Sequence, residues 1–227
     1  MGKGFFITGT DTEIGKTTIS LGLITALKNA GHRVSAMKPI ASGSTVINGA
    51  LRNDDALQLI DACNTQLDYD KINPYCFATP IAPHIAAQQS NTEINIETIC
   101  KLAEEHKTQS DYCIVESVGG WQVPLSDRET VEDLAIALQL PIILVVGIRL
   151  GCINHALLTV QAIQDSGLPL AGWVANHCEP DTNNSDEIIE SLRQRIDKPC
   201  IGVVEFLNGV HIELIGDKLD LDATKYN

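Results

Sequence analysis

A chain of 227 residues, of which 44% are hydrophobic and 20% are charged, has the composition of a globular protein and is long enough for one well-buried α/β domain or two small ones. Its 16 basic residues are scattered singly among 29 acidic ones, which gives a formal net charge of −13. Because such a chain repels polyphosphate backbones and anionic lipids, we expect neither a nucleic-acid nor a membrane partner.

Apolar runs alternate with helical patterns from the beginning of the chain. The apolar runs are near-continuous, which predicts parallel strands covered on both faces. The predicted strands are Gly4–Thr8, Val34–Met37, Tyr112–Glu116, Ile142–Val146, Leu170–Ala175 and Ile201–Val204. The predicted helices are Thr17–Asn29, Asp55–Cys63, Ile96–Lys107, Val131–Leu138, His155–Asp165 and Glu187–Arg195. This order predicts an α/β fold with a doubly wound, mostly parallel sheet flanked by helices.

No internal repeat, low-complexity segment or linker interrupts this alternation, so we expect one domain over residues 1–227. The three prolines of Asn73–Pro83 predict a loop on the surface. The longest apolar run, Leu140–Ile148, is too short to span a bilayer, and the first residues lack a signal-peptide pattern. The seven cysteines are odd in number and form no C-x-x-C motif, which favours reduced thiols in a cytoplasmic protein.

The strongest chemical signal is a phosphate-binding loop, GTDTEIGKTT, between the first predicted strand and the first predicted helix. Gly15 lets the backbone approach a phosphate, Lys16 would reach the β- and γ-oxygens, and the Thr17 hydroxyl would coordinate Mg²⁺. Thr10 stands where the common pattern has glycine, and the alternative is a βα turn that binds nothing. The loop residues predicted to contact ATP are Glu13, Ile14, Gly15, Lys16, Thr17 and Thr18.

Three further positions are candidates for the same site. Glu116 ends an apolar strand at the edge where open α/β sheets bind ligands, and it is followed by Ser117, Val118 and Gly119. Its alternative is a glutamate that faces water. Asp55 begins a helix, where an N-cap formed by Asp55 or Asp54 is the simpler interpretation. Lys38 follows a strand and could be a cation for an anionic substrate or a solvated lysine.

The chain resembles dethiobiotin synthetases in segments that run in family order from residue 9 to about 176. The segments are Gly9–Thr17, Lys38–Gly43, Arg52–Ala56, Asn73–Tyr75 with Pro83 and His84, Glu116 with Gly119–Trp121 and Pro124–Leu125, Leu150–His155, and Gly172–Asn176. The resemblance implies a P-loop NTPase-like ligase that uses ATP and Mg²⁺ to convert 7,8-diaminononanoate and CO₂ to dethiobiotin. It also implies a homodimer with a substrate site shared between the subunits.

The resemblance assigns a role to each matching residue. Lys38, Lys16 and Thr12 would be catalytic, and Mg²⁺ would be held by Thr17, Asp55 and Glu116. The substrate would contact Thr12, Lys38 and Ser42, and the neighbouring subunit would add Leu150, Gly151, Cys152, Ile153 and Asn154. ATP would also contact Asp55, Glu116, Ser117, Val118, Gly119, Asn176, His177, Glu205, Phe206 and Leu207. Among these, Asn176 would read the adenine edge, and Glu205, Phe206 and Leu207 would lie close to the adenine end. Asn154 has an alternative role as the N-cap of the helix that begins at His155.

Some residues depart from the family pattern. Ser117 and Val118 replace a Gly-Ala pair, and the bulkier Val118 could crowd the substrate. Glu205 stands in place of a proline, and His177 in place of a frequent acidic residue. Residues after 207 have no counterpart that we recognise.

Other functions are open at this stage. A partition or septum-site ATPase would share the fold, but it would carry an extra lysine near Thr10 to Thr12 and a basic surface or a terminal amphipathic helix. The chain has no such lysine, and its tail His211–Asp220 is acidic and interrupted by Gly216. A P-loop amide ligase would need a glutamine-hydrolysing domain. A non-catalytic nucleotide-binding relative is a third alternative.

Overall fold

The computed structural model describes residues 3–180, 182–206 and 212–224. In these residues the strands are β1 Lys3–Gly9, β2 Val34–Met37, β3 Ile40–Ala41, β4 Thr45–Ile47, β5 Ala50–Arg52, β6 Tyr75–Cys76, β7 Tyr112–Glu116, β8 Ile142–Ile148, β9 Leu170–His177 and β10 Cys200–Val204. The helices are α1 Lys16–Asn29, α2 Asp54–Ala62, α3 Tyr69–Ile72, α4 Pro83–Gln89, α5 Ile96–Gln109, α6 Val131–Leu138, α7 Cys152–Asp165, α8 Ser185–Arg193 and α9 Ile212–Gly216. A 3₁₀ turn, Asp222–Thr224, follows α9.

A parallel sheet in the order β10-β9-β8-β1-β7-β2 forms the centre of the described structure, which confirms the predicted fold class and all six predicted strands. Its strands are almost fully buried because helices and loops pack on both faces, with one hydrophobic cluster on each side. β7 lies between β1 and β2, and Ile7 of β1 is in register with Glu116 of β7. The carboxyl ends of these three strands therefore meet at one edge of the sheet.

All six predicted helices are present, but two predicted caps are wrong. Asn53, and neither Asp54 nor Asp55, caps α2, since its Oδ1 accepts a hydrogen bond from the Ala56 amide at 3.2 Å. Asp54 and Asp55 occupy the first turn, so the carboxylate of Asp55 is not used as a cap. Helix α7 begins at Cys152 after Gly151, so Asn154 lies inside the helix and is not its N-cap.

The predicted surface loop Asn73–Pro83 is wrong for its first residues. Asn73 is buried, and β6 pairs in parallel with β3, flanked by hydrogen bonds from Tyr75 N to Pro39 O and from Phe77 N to Ala41 O. These two-residue strands carry too few side chains for a periodic signal, so tertiary contacts define them. Pro83 ends the segment by starting α4, where its missing N–H costs no hydrogen bond.

No helix in the described parts of the chain has the length and apolar character that a bilayer crossing requires. The short helix α9 packs against α1, where Ile215 lies close to Gly22. A Cβ at Gly22 would approach Ile215 Cγ2 to 2.4 Å, so this contact requires the glycine.

The stability of the fold is expected to fall below pH 6.5 because of His106 on α5. Burial lowers the pKa of His106 below its ordinary value of about 6.5. Its Nε2 lies 3.1 Å from Lys71 O, and its Nδ1 has no hydrogen-bond partner among the described residues. As the pH falls through 6.5, the unfolded chain therefore takes up a proton before the folded chain does, and the free energy of unfolding decreases.

The substitution His106→Gln keeps a side-chain donor but cannot be protonated. We expect urea unfolding at pH 7 and pH 5 to show a smaller loss of stability in this variant than in the wild type. An equal loss in both proteins would exclude His106 as a source of the acid sensitivity.

Candidate active site

The loop between β1 and α1 has the backbone conformation of a phosphate cradle. Glu13 and Gly15 both adopt left-handed conformations, with φ of 58° and 85°. The side chain of Asn176, at the end of β9, donates a hydrogen bond from Nδ2 to Ile14 O at 2.8 Å. A Cβ at Gly15 would come within 2.2 Å of that Nδ2 atom, so both the conformation and the packing require glycine.

Lys16 is buried at the start of α1. Its Nζ donates a hydrogen bond to Asp11 O at 2.8 Å, so the ammonium group is held by the backbone of the phosphate loop. Burial and the neighbouring positive charge of Lys38 lower the pKa of Lys16 to about 8. The free energy needed to hold this buried charge would be offset by an anionic ligand, as expected for a phosphate-binding lysine.

The second cationic group, Lys38, lies between two carboxylates. Its Nζ is 2.5 Å from Glu116 Oε1 and 3.0 Å from Asp55 Oδ2, and Thr17 Oγ1 donates to the same Glu116 oxygen at 2.8 Å. Burial alone would lower the pKa of Lys38, but the charges of Glu116 and Asp55 outweigh it and raise the pKa above its ordinary value. Burial opposes ionisation of Asp55, yet the charge of Lys38 lowers its pKa below the ordinary range.

One oxygen of this cluster has no protein partner. Glu116 is completely buried, and its Oε2 accepts no hydrogen bond within the described residues. A buried carboxylate oxygen without a donor is costly unless a cation or another donor binds it. The cluster formed by Thr17, Asp55 and Glu116 therefore offers hydroxyl and carboxylate oxygens, the ligand types that Mg²⁺ prefers.

A cavity of about 800 Å³ brings most of the predicted site residues together. Its polar side consists of the loop and the cation cluster, and its apolar side includes Pro80, Ile81 and Val123. The predicted residues that line it are Thr12, Glu13, Gly15, Lys16, Thr17, Thr18, Lys38, Ser42, Asp55, Glu116, Val118 and Gly119. Ile14 and Ser117 are buried next to it and are not among the lining residues.

Another cavity, of about 400 Å³, lies at the carboxyl ends of β9 and β10. Three residues predicted to contact ATP, His177, Glu205 and Phe206, line it together with Thr182 and Asn183. Asn176 is one residue away and holds the phosphate loop instead of lining this cavity. Leu207, the last residue predicted to contact ATP, lies outside the described residues.

The segment Leu150–Asn154 lies in the turn after β8 and the first turn of α7, away from the lining of both cavities. Leu150 is 98% exposed and Asn154 is also exposed, whereas Cys152 is buried. Within one subunit the structure therefore does not bring this segment to Lys38 or Ser42.

Some contacts at the site were not predicted from the sequence. Arg149 Nη2 lies 2.5 Å from Asp11 Oδ2, and Asp11 Oδ1 accepts a hydrogen bond from Thr12 N at 2.8 Å. This ion pair joins the phosphate loop to the turn that precedes α7. Asp11 belongs to the phosphate-loop motif, but Arg149 lies 138 residues away and outside any motif, so the contact could be seen only from the three-dimensional arrangement of β1 and β8.

Comparisons with known proteins show the family of the chain. The model of a family described as an AAA domain matches residues 3–213. The ATP-dependent dethiobiotin synthetase BioD of Pseudomonas aeruginosa is 47% identical over 218 residues, which cover 96% of each chain. BioD 1 of Escherichia coli K12, described by the same enzyme name, is 46% identical over 207 residues, which cover 91% of this chain and 92% of the relative. The chain belongs to the dethiobiotin synthetase family.

The dethiobiotin synthetase family was the one predicted from the motifs. Solved structures of two other kinds of protein share its fold. A MinC:MinD cell division protein complex of Aquifex aeolicus matches with a TM-score of 0.60 at 15% identity, covering 99% of this chain and 95% of the other. A ParA family ATPase of Chlorobium tepidum matches with a TM-score of 0.58 at 14% identity, covering 99% and 97%. At such identities the likeness shows the fold alone, and the family membership favours the synthetase over the partition-type switch.

Proposed function

We propose that this dethiobiotin synthetase family member converts 7,8-diaminononanoate, CO₂ and ATP to dethiobiotin, ADP and phosphate. The observation that carries the proposal is the position of two buried lysines, Lys16 and Lys38, in one cavity with the phosphate loop and the carboxylates of Asp55 and Glu116. A reaction between a triphosphate and a second anion needs two such cations close together.

The reaction proceeds in three steps. One amine of the substrate adds CO₂ and loses a proton, which gives a carbamate. A carbamate oxygen then attacks the γ-phosphorus in line with the departing ADP, so that a carbamic-phosphoric anhydride forms. The second amine attacks the carbonyl carbon, loses a proton and expels phosphate, which closes the cyclic urea. In these steps no side chain of the protein forms a covalent bond with the substrate. The protein catalyses the reaction by positioning the reactants and neutralising their charges.

The two lysines divide the anionic groups between them. Lys16, with the loop amides up to Thr18, binds the β- and γ-phosphates, and the amides of Ser117, Val118 and Gly119 approach the same phosphates. Lys38 neutralises the carbamate and the transferring phosphoryl group. Without ligand its ammonium group is stabilised by Glu116 and Asp55, which supports its presence in the cavity as a charged group.

The diamine would lie along the side of the cavity that contains Ser42 and Thr12. Ser42 Oγ is buried and has no hydrogen-bond partner among the described residues, so it is free for a substrate amine. Pro80, Ile81 and Val123 form an apolar wall suited to an aliphatic chain. Val118 also lines this cavity.

Mg²⁺ would be held by Thr17, Asp55 and Glu116. The unpartnered Glu116 Oε2 and the oxygen-only donor set support this assignment. When bound, the metal would neutralise charge on the phosphate oxygens. At the other end of the nucleotide, the adenine would be recognised by His177, Glu205 and Phe206, which line the smaller cavity. We also assign Asn176 and Leu207 to this end.

We also propose that the enzyme is a cytoplasmic homodimer. Leu150, in the turn before α7, is 98% exposed, and Leu158, on α7, is 63% exposed. Two large apolar side chains exposed close together in the chain support a protein contact at this helix. In a symmetric dimer, residues 150–154 of one subunit would complete the substrate site of the other. The seven cysteines are unpaired, which supports the cytoplasmic location because thiols stay reduced there.

Analytical ultracentrifugation tests the dimer. We expect a mass of twice the chain mass of 24.5 kDa, and a monomer would refute the shared substrate site.

The test of the function is a labelling assay. The purified chain is incubated with ¹⁴C-bicarbonate, 7,8-diaminononanoate and Mg·ATP, and the products are separated. We expect label in dethiobiotin in a one-to-one ratio with the ADP formed. ATP hydrolysis that needs no diamine, with no label incorporated, would refute the proposal.

A further inference from the structure

A partly buried hydrogen-bond network connects the backbones that carry Lys38 and Asp55. The Tyr69 hydroxyl accepts a hydrogen bond from Asn53 N at 2.7 Å and donates one to Asn73 Oδ1 at 2.8 Å. The same amide group of Asn73 donates from Nδ2 to Lys38 O at 2.7 Å. Because carbonyl oxygens only accept, the amide of Asn73 has one orientation that satisfies both contacts.

The network ends at two residues, Lys38 and Asn53, and both ends belong to or lie close to the proposed catalytic cluster. Asn53 caps α2, whose first turn contains Asp55, and Lys38 directly follows β2. Asn73 is only 2% exposed, so its two contacts are shielded from water. Lys38 N also donates to Ile72 O at 2.9 Å, which ties the lysine to α3 a second time. The segment α3 therefore holds the start of α2 and the end of β2 at a fixed separation.

Tyr69 is itself held in place from two directions. The guanidinium of Arg52 lies over its ring, 4.0 Å from the centroid, and Asn73 N donates to Tyr69 O at 2.8 Å. Burial raises the pKa of the Tyr69 phenol, so the hydroxyl keeps the proton that it donates to Asn73. The hydroxyl thus connects Asn53 to Asn73, and the Cys76 thiol lies 3.6 Å from the same oxygen.

We propose that Tyr69 and Asn73 are positioning residues that set the separation of Lys38 Nζ and Asp55 Oδ2, which is 3.0 Å. This inference rests on the proposed function, since it assigns the network to the lysine and carboxylate of that reaction. Neither residue lines the large cavity, so both would act through the groups they hold. Small displacements of reacting groups by residues far from the chemistry lower turnover by up to about 100-fold.

The test is the variant Tyr69→Phe, which keeps the ring beneath Arg52 and removes only the bridging oxygen. We expect kcat for dethiobiotin formation to fall about 10- to 100-fold, while the KM for ATP changes by less than about threefold because the phosphate loop is untouched. We also expect a crystal structure of the variant to show the Lys38 Nζ–Asp55 Oδ2 distance increased beyond 3.0 Å.

The matched control is Tyr75→Phe. Tyr75 is close to Asn73 in the chain, and its hydroxyl accepts a hydrogen bond from Asn95 N at 3.0 Å, where Asn95 caps α5. This variant therefore also loses a tyrosine oxygen that accepts a hydrogen bond at the start of a helix. Among the described residues, however, the Tyr75 hydroxyl forms no hydrogen bond with Asn73 or Lys38. We expect its kcat to stay within about twofold of the wild type.

A double-mutant cycle separates positioning from general stability. In an Asp55→Asn background, Tyr69→Phe is expected to lower kcat by less than about twofold further, because the group it positions is already lost. Equal effects of Tyr69→Phe in both backgrounds, or wild-type kcat in a folded Tyr69→Phe protein, would overturn the inference. The wild-type enzyme in the same assay tests the proposed function separately, since absence of dethiobiotin there would refute the function and not the network.

Discussion

Replacing Lys38 by Gln is expected to leave ATP binding measurable and to lower turnover about 10²- to 10³-fold. The γ-phosphate and loop contacts would remain with Lys16, whose ammonium group donates to the loop carbonyl of Asp11. The carbamate, in contrast, would lose its cation, and neutral glutamine cannot replace a preorganised positive charge. Equilibrium dialysis with Mg·ATP and the labelling assay measure the two effects separately.

The Lys38 substitution also removes a partner from Glu116, so folding must be checked by circular dichroism. Lys101→Gln is a suitable control, because Lys101 is exposed on the surface of α5 and, within the described part of the chain, forms an ion pair only with Glu97. It should retain full turnover. Full turnover in the Lys38→Gln enzyme would remove this lysine from the mechanism.

Replacing Gly15 by Ala is expected to lower kcat/KM for ATP on the order of 100-fold, because the loop that binds the phosphates would be displaced. Alanine at a φ of 85° costs about 1–2 kcal/mol of backbone strain. Its Cβ would also lie 2.2 Å from Asn176 Nδ2, so the hydrogen bond from Asn176 to Ile14 O would have to break. Steady-state kinetics with varied ATP measure this effect.

Gly31→Ala is a control for a general loss of stability. Gly31 has a similar φ of 89°, but it lies after the far end of α1 and a Cβ there meets no atom within 4 Å. This variant should lose stability from backbone strain and keep wild-type kcat/KM. Similar kinetic losses in both variants would mean that reduced stability, and not displacement of the phosphate loop, lowers kcat/KM.

The sequence was most informative where one local rule decides the structure. The six sheet strands are nearly continuous apolar runs, because parallel strands buried on both faces need them. The phosphate loop was identified from spacing alone, since Gly15, Lys16 and Thr17 act within one turn of each other. The family resemblance then added Asp55, whose local pattern indicated only a cap.

The remaining features depend on how distant segments meet. Lys38 reaches Glu116 because β7 lies between β1 and β2, and that strand order cannot be read from apolar runs. The burial of Asn73 depends on contacts with Lys38 and Tyr69, so the prolines around it wrongly indicated a surface loop. The Asn53 cap was missed because three consecutive polar residues offer equivalent capping side chains.

A crystal structure with Mg²⁺, a non-hydrolysable ATP analogue and the diamine tests the central claim most directly. We expect the γ-phosphate within hydrogen-bond distance of Lys16 Nζ, and Lys38 Nζ between that phosphate and the substrate amine that takes up CO₂. A γ-phosphate bound out of reach of Lys38, with the diamine outside the cavity, would contradict it.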